Sequence, residues 1–160
     1  MKKIQKIHSN QRGFSLLESL LALFVLTIGL LGVAGMHSQS MSTGYIAVQR
    51  MSAVNKGEEL FERIRANPAG LAAYAAGVAA SKSCTSTAVC TPTEMAQDDL
   101  YVWNLEVDAA FPGTPTKTVA VAALPVASDP TGNVRQVSVT ITWTSKGDSH
   151  TYTAVTEVAP

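Results

Sequence analysis

Glu18 is the residue whose chemical type contrasts most with its surroundings. It stands near the front of the run RGFSLLESLLALFVLTIGLLG, residues 12 to 32, where every other residue after Phe14 is apolar, small or hydroxyl-bearing. A charge at the centre of a bilayer costs about 2.5–3.5 kcal/mol on insertion scales, and somewhat less near an end. A carboxylate in a low-dielectric setting seeks an opposite charge, so Glu18 is a candidate for an ionic contact.

Other residue types that could do chemistry form no catalytic pattern. His8, His37 and His150 are far apart in the sequence, which has no H-E-x-x-H, G-x-S-x-G or phosphate-loop motif. Asp98 and Asp99 hint at calcium, but two adjacent carboxylates are more simply read as solvated side chains. We therefore expect no catalytic residue, no metal and no cofactor.

Cys84 and Cys90 are the two cysteines of the chain. Their C-x5-C spacing, without a nearby histidine, is a poor zinc pattern. Two cysteines in an exported domain most simply form one disulfide, with free or metal-bound thiols as the alternative. A loop this short gives about 2 kcal/mol of stabilisation in the chain-entropy model.

A long charge-free segment follows Glu18. From Ser19 to Gln49 there is no Asp, Glu, Lys or Arg. Residues 19 to 36 would rise ~27 Å as a helix, close to the ~30 Å hydrocarbon core of a bilayer. The sequence therefore predicts one transmembrane helix.

Charge is distributed unevenly around this helix. The first thirteen residues hold four of the 12 basic residues and no acidic one, which leaves 8 basic and 12 acidic residues in the remainder. The positive-inside rule keeps the leader cytoplasmic and places the rest of the chain outside. The acidic remainder argues against non-specific nucleic-acid binding.

Helical periodicity continues beyond the membrane span, and its apolar positions are Ala47, Val48, Met51, Val54, Phe61 and Ile64. The sequence Asn67-Pro68-Ala69-Gly70 is a strong stop signal, so we expect one helix over about residues 14 to 66. Its glycines each cost roughly 1 kcal/mol relative to alanine. We expect them to bend or locally melt the helix, and they are Gly29, Gly32, Gly35, Gly44 and Gly57.

The remaining residues predict a small mixed head. A short helix is expected over Leu71–Ala80, followed by the disulfide loop. Residues 93 to 111 favour a second helix with Met95, Leu100, Trp103 and Val107 near one face, although a strand over LYVWNLEV competes.

Alternation then predicts three antiparallel strands, Lys117–Leu124, Asn133–Thr144 and His150–Val158, with a hairpin turn over Ser145–Asp148. Apolar residues fill one face of the middle strand, namely Val137, Val139, Ile141 and Trp143. This face needs a cover, for which the outer half of the long helix is the nearest candidate. The predicted fold class is α+β, a long N-terminal helix packed on a small antiparallel sheet.

The N-terminal stretch K-x-x-x-x-x-R-G-F-S-L-L-E-S-L-L-A-L resembles the start of a type IV pilin precursor. The resemblance implies cleavage by a prepilin peptidase between Gly13 and Phe14, and N-methylation of Phe14. Glu18 matches the glutamate of that family. In a fibre it would pair with the Phe14 amine of a neighbouring subunit, and the helix dipole favours its charge in the first turn. The simpler alternative is that the Glu18 carboxylate extends to the lipid headgroups or caps the start of the helix.

The resemblance narrows to minor pilins of the PilV type on two elements. One is ERIRANP, residues 62 to 68, and the other is V-x-I-x-W in the last third. Arg63 and Arg65 are either solvated charges or candidate docking residues that fix the head or meet a partner pilin. Major pilins usually carry a helix-bending proline where this chain has Gly35.

The implied organisation is a leader over residues 1–13, a pilin helix over 14–66 with its transmembrane part at about 14–36, and a periplasmic head over 67–160. The protein would be a non-enzymatic, single-pass inner-membrane subunit that later enters the pilus at the cell surface. Its implied partners are other minor pilins, the major pilin, prepilin peptidase and the inner-membrane assembly machinery, with no direct nucleic-acid contact. It would help to prime assembly at the tip and support twitching motility and adhesion. The alternatives are a type II secretion pseudopilin and a signal-anchored binding module that does not polymerise.

The cleavage prediction is testable at Gly13. Gly13→Ala should be processed far better than Gly13→Leu, because the peptidase that the resemblance implies needs a small side chain before the cut. The measurement is the ratio of precursor to mature chain on an immunoblot. An unchanged ratio for Gly13→Leu would contradict the prediction.

Overall fold

The computed structural model describes residues 15–85, 89–124 and 132–159 of the chain. Its elements in order are α1 (Leu16–Ala66), a 3₁₀ turn (Pro68–Gly70), α2 (Leu71–Ala76), α3 (Pro92–Ala110), β1 (Thr116–Ala123), β2 (Arg135–Ser145) and β3 (Asp148–Val158). The chain divides into two compact units, residues 1–44 and 45–160. The predicted boundaries of the leader and of the head at residue 67 stay predictions.

The first unit contains the apolar part of α1. Every described residue from 15 to 41 is exposed in the isolated chain, including its leucines, isoleucine, valines and phenylalanine. A helix with apolar residues around its whole circumference requires a non-aqueous environment such as lipid or other helices.

In the second unit α1 contributes one wall of the core. Its buried residues are Gln49, Ala53, Gly57, Leu60, Phe61 and Ile64. The spacings of four, four, three and four along 49, 53, 57, 60 and 64 define one helical face. The predicted apolar face is wrong in its first half, because Val48 and Met51 are 65% and 62% exposed. Small and polar residues occupy the buried positions there instead.

Gly57 explains why a small residue is needed on this face. A Cβ built on Gly57 would lie 2.7 Å from Cε1 of Tyr152, which is on β3. That separation is shorter than a normal contact between carbon atoms. The other predicted weak points have open space around them and do not interrupt the helix, which is continuous from Leu16 to Ala66. The expectation that glycines melt it locally is therefore wrong.

The three strands form one antiparallel sheet in the order β1-β2-β3. The middle strand alternates as predicted and buries Val137, Val139, Ile141 and Trp143. Lys146 and Gly147 connect β2 to β3 with φ angles of 55° and 92°. Positive φ at both central residues is typical of a type I′ hairpin turn, which matches the twist of the strands it joins.

Two shorter helices complete the second unit. Helix α2 ends at Ala76 and is capped by Gly77, whose φ of 65° is in the left-handed region. Helix α3 begins with a reciprocal capping box between Thr91 and Glu94, so the strand alternative for this segment is wrong. Its buried face is Ala96, Leu100, Trp103 and Val107. Met95, which we placed on that face, is exposed.

The predicted fold class is confirmed. The second half of α1 packs with α3 and the inner face of the sheet around a single core in residues 45–160, as expected for an α+β protein of the pilin type.

The close approach at Gly57 gives a stability prediction. Gly57→Leu should lower the free energy of unfolding by about 1–3 kcal/mol, because the side chain overpacks the contact with Tyr152. Gly44→Leu is the matched control, since no atom lies within 4 Å of a Cβ at Gly44. Denaturant unfolding of the detergent-solubilised chain, followed by tryptophan fluorescence, measures both. Equal stability of the two variants would contradict the packing argument.

Candidate functional site

The predicted assembly site begins at the N-terminus of α1. The hydroxyl of Ser15 accepts a hydrogen bond from the N–H of Leu17 at 3.3 Å, as an N-cap does, and its carbonyl accepts from the N–H of Glu18 at 3.0 Å. Glu18 lies in the first turn, where the unpaired N–H groups favour a negative charge. Among the described residues its carboxylate makes no hydrogen bond or ion pair. Gly13 and Phe14 lie outside the described residues, so their roles stay predictions.

Helix α1 also meets the requirements of a membrane span. In the part of the chain that the structure describes, it is the helix long and apolar enough to cross a bilayer, by length and composition. Among the described residues, none buries the apolar window of this helix. Lipid or neighbouring helices are the environments that would satisfy such a surface.

A cluster of four charged side chains joins the second half of α1 to α3. Nζ of Lys56 lies 2.7 Å from Oε2 of Glu59 and 2.7 Å from Oε2 of Glu106. The guanidinium of Arg63 contacts Glu59, approaches Oε1 of Glu106 at 3.3 Å and donates to the Asp99 carbonyl at 3.2 Å. The Lys56–Glu59 and Glu59–Arg63 pairs have the spacing that signals helical ion pairs. Glu106 has no such signal, because it lies 50 residues from Lys56.

This cluster shifts the ionisation of its members. Partial burial alone would raise the pKa of Glu59, but hydrogen bonds from Lys56 and Arg63 outweigh it and lower the pKa to about 2. Burial likewise works to lower the pKa of Lys56, but hydrogen bonds with Glu106 and Glu59 raise it. The charged forms of both residues are therefore favoured in the folded head.

The ERIRANP element makes its contacts inside the head. Arg65 is exposed, pairs with Glu62 and donates to Oγ1 of Thr156 at 2.7 Å. Nδ2 of Asn67 donates to the Pro92 carbonyl at 2.7 Å. The backbone beside it is tightly packed, since a Cβ on Gly70 would lie 2.6 Å from the same carbonyl. The element thus ties the end of α1 to β3 and to the start of α3.

Arg63 is therefore not a merely solvated charge, and that interpretation is wrong for it. Its contacts with Glu59, Glu106 and Asp99 are all intramolecular. Docking of Arg63 or Arg65 to a partner stays a proposal.

The two adjacent aspartates are also structural. The carboxylate of Asp98 accepts hydrogen bonds from the backbone N–H groups of Lys82 and Ser83 at 2.6 and 3.0 Å. The carboxylate of Asp99 accepts one from the hydroxyl of Tyr74. Burial raises the pKa of Tyr74, and this hydrogen bond raises it further. The expectation that both aspartates are merely solvated is wrong, because they hold α2 and the following loop against α3.

The loop anchored in this way carries the predicted disulfide. Cys84 and Cys90 are bonded, with their Cα atoms 5.6 Å apart. Asp98 holds the two residues immediately before Cys84, so the loop is fixed to α3 at its start.

No arrangement for catalysis emerges among the residues that the structure describes. There is no group of three or more His, Cys, Asp or Glu side chains there that could hold a metal. An open groove of about 400 Å³ between α2 and β1 is lined by small and apolar residues together with Arg135, which donates to the Gly132 carbonyl. The indole of Trp143, predicted to be a core residue, is buried and donates to Oε1 of Gln49 at 3.1 Å.

The ionic cluster predicts a pH-dependent stability. Glu59→Gln should lower the free energy of unfolding by about 1 kcal/mol at pH 7, a figure discounted because 34% of the Glu59 side chain is exposed. The pKa of Glu59 falls from its ordinary value of 4.5 to about 2 on folding. The stabilisation is therefore present above pH 4.5 and is lost as the pH falls towards 2.

The difference between the wild type and Glu59→Gln should accordingly narrow across this pH window in denaturant unfolding experiments. Glu62→Gln is the matched control, because Glu62 pairs with the exposed Arg65 and should contribute little at any pH. A difference that stays constant from pH 4.5 to pH 2 would count against the cluster.

Comparison with known families gives two matches on adjacent segments. The prokaryotic N-terminal methylation motif matches residues 8–34, and the family described as type IV pilin Tt1218 matches residues 35–101. No curated protein and no solved structure matches the chain. The apolar helix and the methylation motif fit a pilin that is anchored in the inner membrane with a C-terminal head and is later found in the pilus. The two matches lie next to each other along the chain and, together with the fold, support a type IV pilin.

Proposed function

We propose that this chain is a minor pilin, a structural subunit that is cleaved after Gly13, methylated at Phe14 and incorporated into a type IV pilus. The observation that carries the proposal is the uncovered apolar part of α1, headed by the methylation motif and by Glu18. In the precursor this surface lies in lipid. In a fibre it packs against the helices of neighbouring subunits, so extraction from the membrane need not expose it to water.

Glu18 supplies the register of this packing in our proposal. Removal of the leader gives Phe14 a positively charged amine, and the carboxylate of Glu18 pairs with the amine of a neighbouring subunit. A carboxylate buried among apolar helices without such a partner would carry a large desolvation cost. The pairing therefore favours one axial position of each subunit over others.

The minor-pilin assignment is supported by the ERIRANP element and the V-x-I-x-W strand, which resemble PilV-type subunits. Both elements contribute to the structure of the head, through Arg63 in the last turn of α1, Asn67 directly after it, and Trp143 in the core. In this role the subunit helps to prime assembly in a tip complex with other minor pilins and the major pilin. Twitching motility and adhesion then depend on it indirectly, and it has no chemistry of its own.

A type II secretion pseudopilin is the competing assignment, since it shares the leader, Glu18 and the long helix. The two differ in where the processed subunit is found, which is a surface pilus for a pilin and a short periplasmic fibre for a pseudopilin. A signal-anchored module that does not polymerise would leave the methylation motif without a purpose.

The role of Glu18 can be separated from processing. Glu18→Val should leave cleavage at Gly13 largely intact but lower incorporation into sheared fibres by at least about tenfold, because the Phe14 amine loses its partner. Glu18→Asp keeps the charge and should retain more incorporation. The measurement is the amount of mature subunit in the sheared fraction relative to the cell envelope. Normal incorporation of Glu18→Val would rule out the pairing.

A further inference from the structure

The last strand of the sheet is a long edge with one unpaired side. Strand β3 has 11 residues, and β2 is its neighbour in the sheet order β1-β2-β3. In the part of the chain that the structure describes, the backbone of β3 forms no hydrogen bond with an element other than β2. Alternate residues of an antiparallel edge strand direct both their N–H and C=O groups away from the neighbouring strand. Strand β3 therefore presents a row of backbone donors and acceptors along its outer side.

Strand β3 lacks the features by which natural proteins protect such an edge. Those features are a short strand, a Lys or Pro within it, and a β-bulge. Strand β3 is about twice as long as an average strand. It contains neither Lys nor Pro, and its pairing with β2 is continuous from Asp148 to Val158. The other edge strand, β1, has 8 residues, carries Lys117, follows Pro115 and lies across a groove from α2.

The inner face of β3 is incompletely covered. Tyr152 and Ala154 lie opposite Ile141 and Val139, which are fully buried on β2. Tyr152 and Ala154 themselves are only partly buried, although both pack against the core. A further strand beside β3 would cover the open side of these residues and pair the free backbone groups. An extended strand is therefore the structure that satisfies this edge.

The charges around β3 indicate the chemistry of that strand. The charged residues around its second half are Glu58, Glu62, Arg65 and Glu157. Arg65 pairs with Glu62, whereas the exposed Glu58 and Glu157 form no ion pair among the described residues. The first half is balanced, because Asp148 follows Lys146 in the hairpin turn. A partner strand with a basic side chain beside the second half of β3 complements this distribution.

The direction of α1 restricts which strand can bind. Gly57 faces Tyr152, and Arg65 contacts Thr156, so α1 and β3 run in the same direction. Antiparallel pairing of two β3 strands would make the two α1 helices run in opposite directions, which prevents both from being anchored in one membrane. A minor subunit also has few copies of itself as neighbours. The partner is therefore a different chain.

We propose that the outer edge of β3 binds an extended strand of a different pilin subunit by β-strand addition. Backbone hydrogen bonds hold the added strand, and its basic side chain lies near Glu157. This inference rests on the proposed function, because that role supplies the neighbouring subunits. It adds the surface through which this chain contacts them and the kind of segment that binds there.

Site-specific photo-cross-linking of the full-length protein in cells tests the contact. The probe replaces Val155, which is 54% exposed on β3. Ala120 is the matched control, because it is exposed on the other edge strand and shares a cross-sheet row with Ser138 and Val155. Cross-linked peptides from sheared fibres and from the cell envelope are identified by mass spectrometry. The probe at Val155 should join residues 147–160 to a strand of another pilin, at a higher yield than the probe at Ala120.

A charge variant gives an independent readout. Glu157→Lys should lower the yield of this cross-link by about two- to fivefold, and Glu157→Asp should preserve it, as expected for one exposed charge pair. Equal yields for the two variants would overturn the charge complementarity. Cross-links from Val155 only to a helix of another pilin or to a copy of this chain, or at a yield no greater than from Ala120, would overturn the strand addition.

The same samples distinguish failure of the contact from failure of the proposed function. Mature chain in sheared fibres without the cross-link from Val155 to a strand of another pilin overturns the contact and leaves the pilus role standing. The cross-link in the cell envelope, with no mature chain in sheared fibres, overturns the pilus role and supports the contact.

Discussion

The packing of α1 against the three-stranded sheet is the contact on which the rest of the head depends. Ala53 and Gly57 are small enough for the helix to lie close to the sheet, and Leu60 and Ile64 continue the same face into the core. Once the helix lies there, Lys56 and Arg63 reach α3 through their carboxylate partners. The backbone carbonyl of Lys56 also accepts a hydrogen bond from the indole of Trp103 at 2.8 Å.

The first half of the same helix requires a non-aqueous environment. Its residues from 16 to 41 are apolar or small for the most part and uncovered. Burial of this surface is favourable both in a bilayer and among other helices, so one sequence suits a membrane precursor and a fibre subunit. The matches to the type IV pilin model and to the methylation motif agree with both environments. Glu18 is the charged residue of this segment, so the identity of its ionic partner is the main test of the proposed packing.

Local signals predicted much of this structure. The stop at Asn67-Pro68 and the alternation of Val137, Val139 and Ile141 mark element ends and buried faces through patterns of a few residues. The disulfide followed from having two cysteines in an exported segment. These features depend on neighbouring residues, so a single sequence reveals them.

The predictions that proved wrong concern residues whose environment depends on segments far away in the sequence. Helical periodicity placed Val48 and Met51 on the apolar face of the helix, but Ala53 and Gly57 are buried instead, and Tyr152 of the sheet approaches Gly57 closely. Lys56 and Glu106 are 50 positions apart in the sequence, so no local pattern predicts their ion pair. The roles of Asp98 and Asp99 depend in the same way on contacts with α2 and the following loop.

Mass spectrometry of the N-terminal peptide, recovered from sheared surface fibres, tests the central claim most directly. The account predicts a peptide that begins at N-methylated Phe14 in that fraction, which would establish processing and incorporation into the pilus together. Detection of the processed peptide only in the cell envelope, under conditions in which other minor pilins are found in the fibres, would favour a pseudopilin. A chain that everywhere retains residues 1–13 would contradict the account.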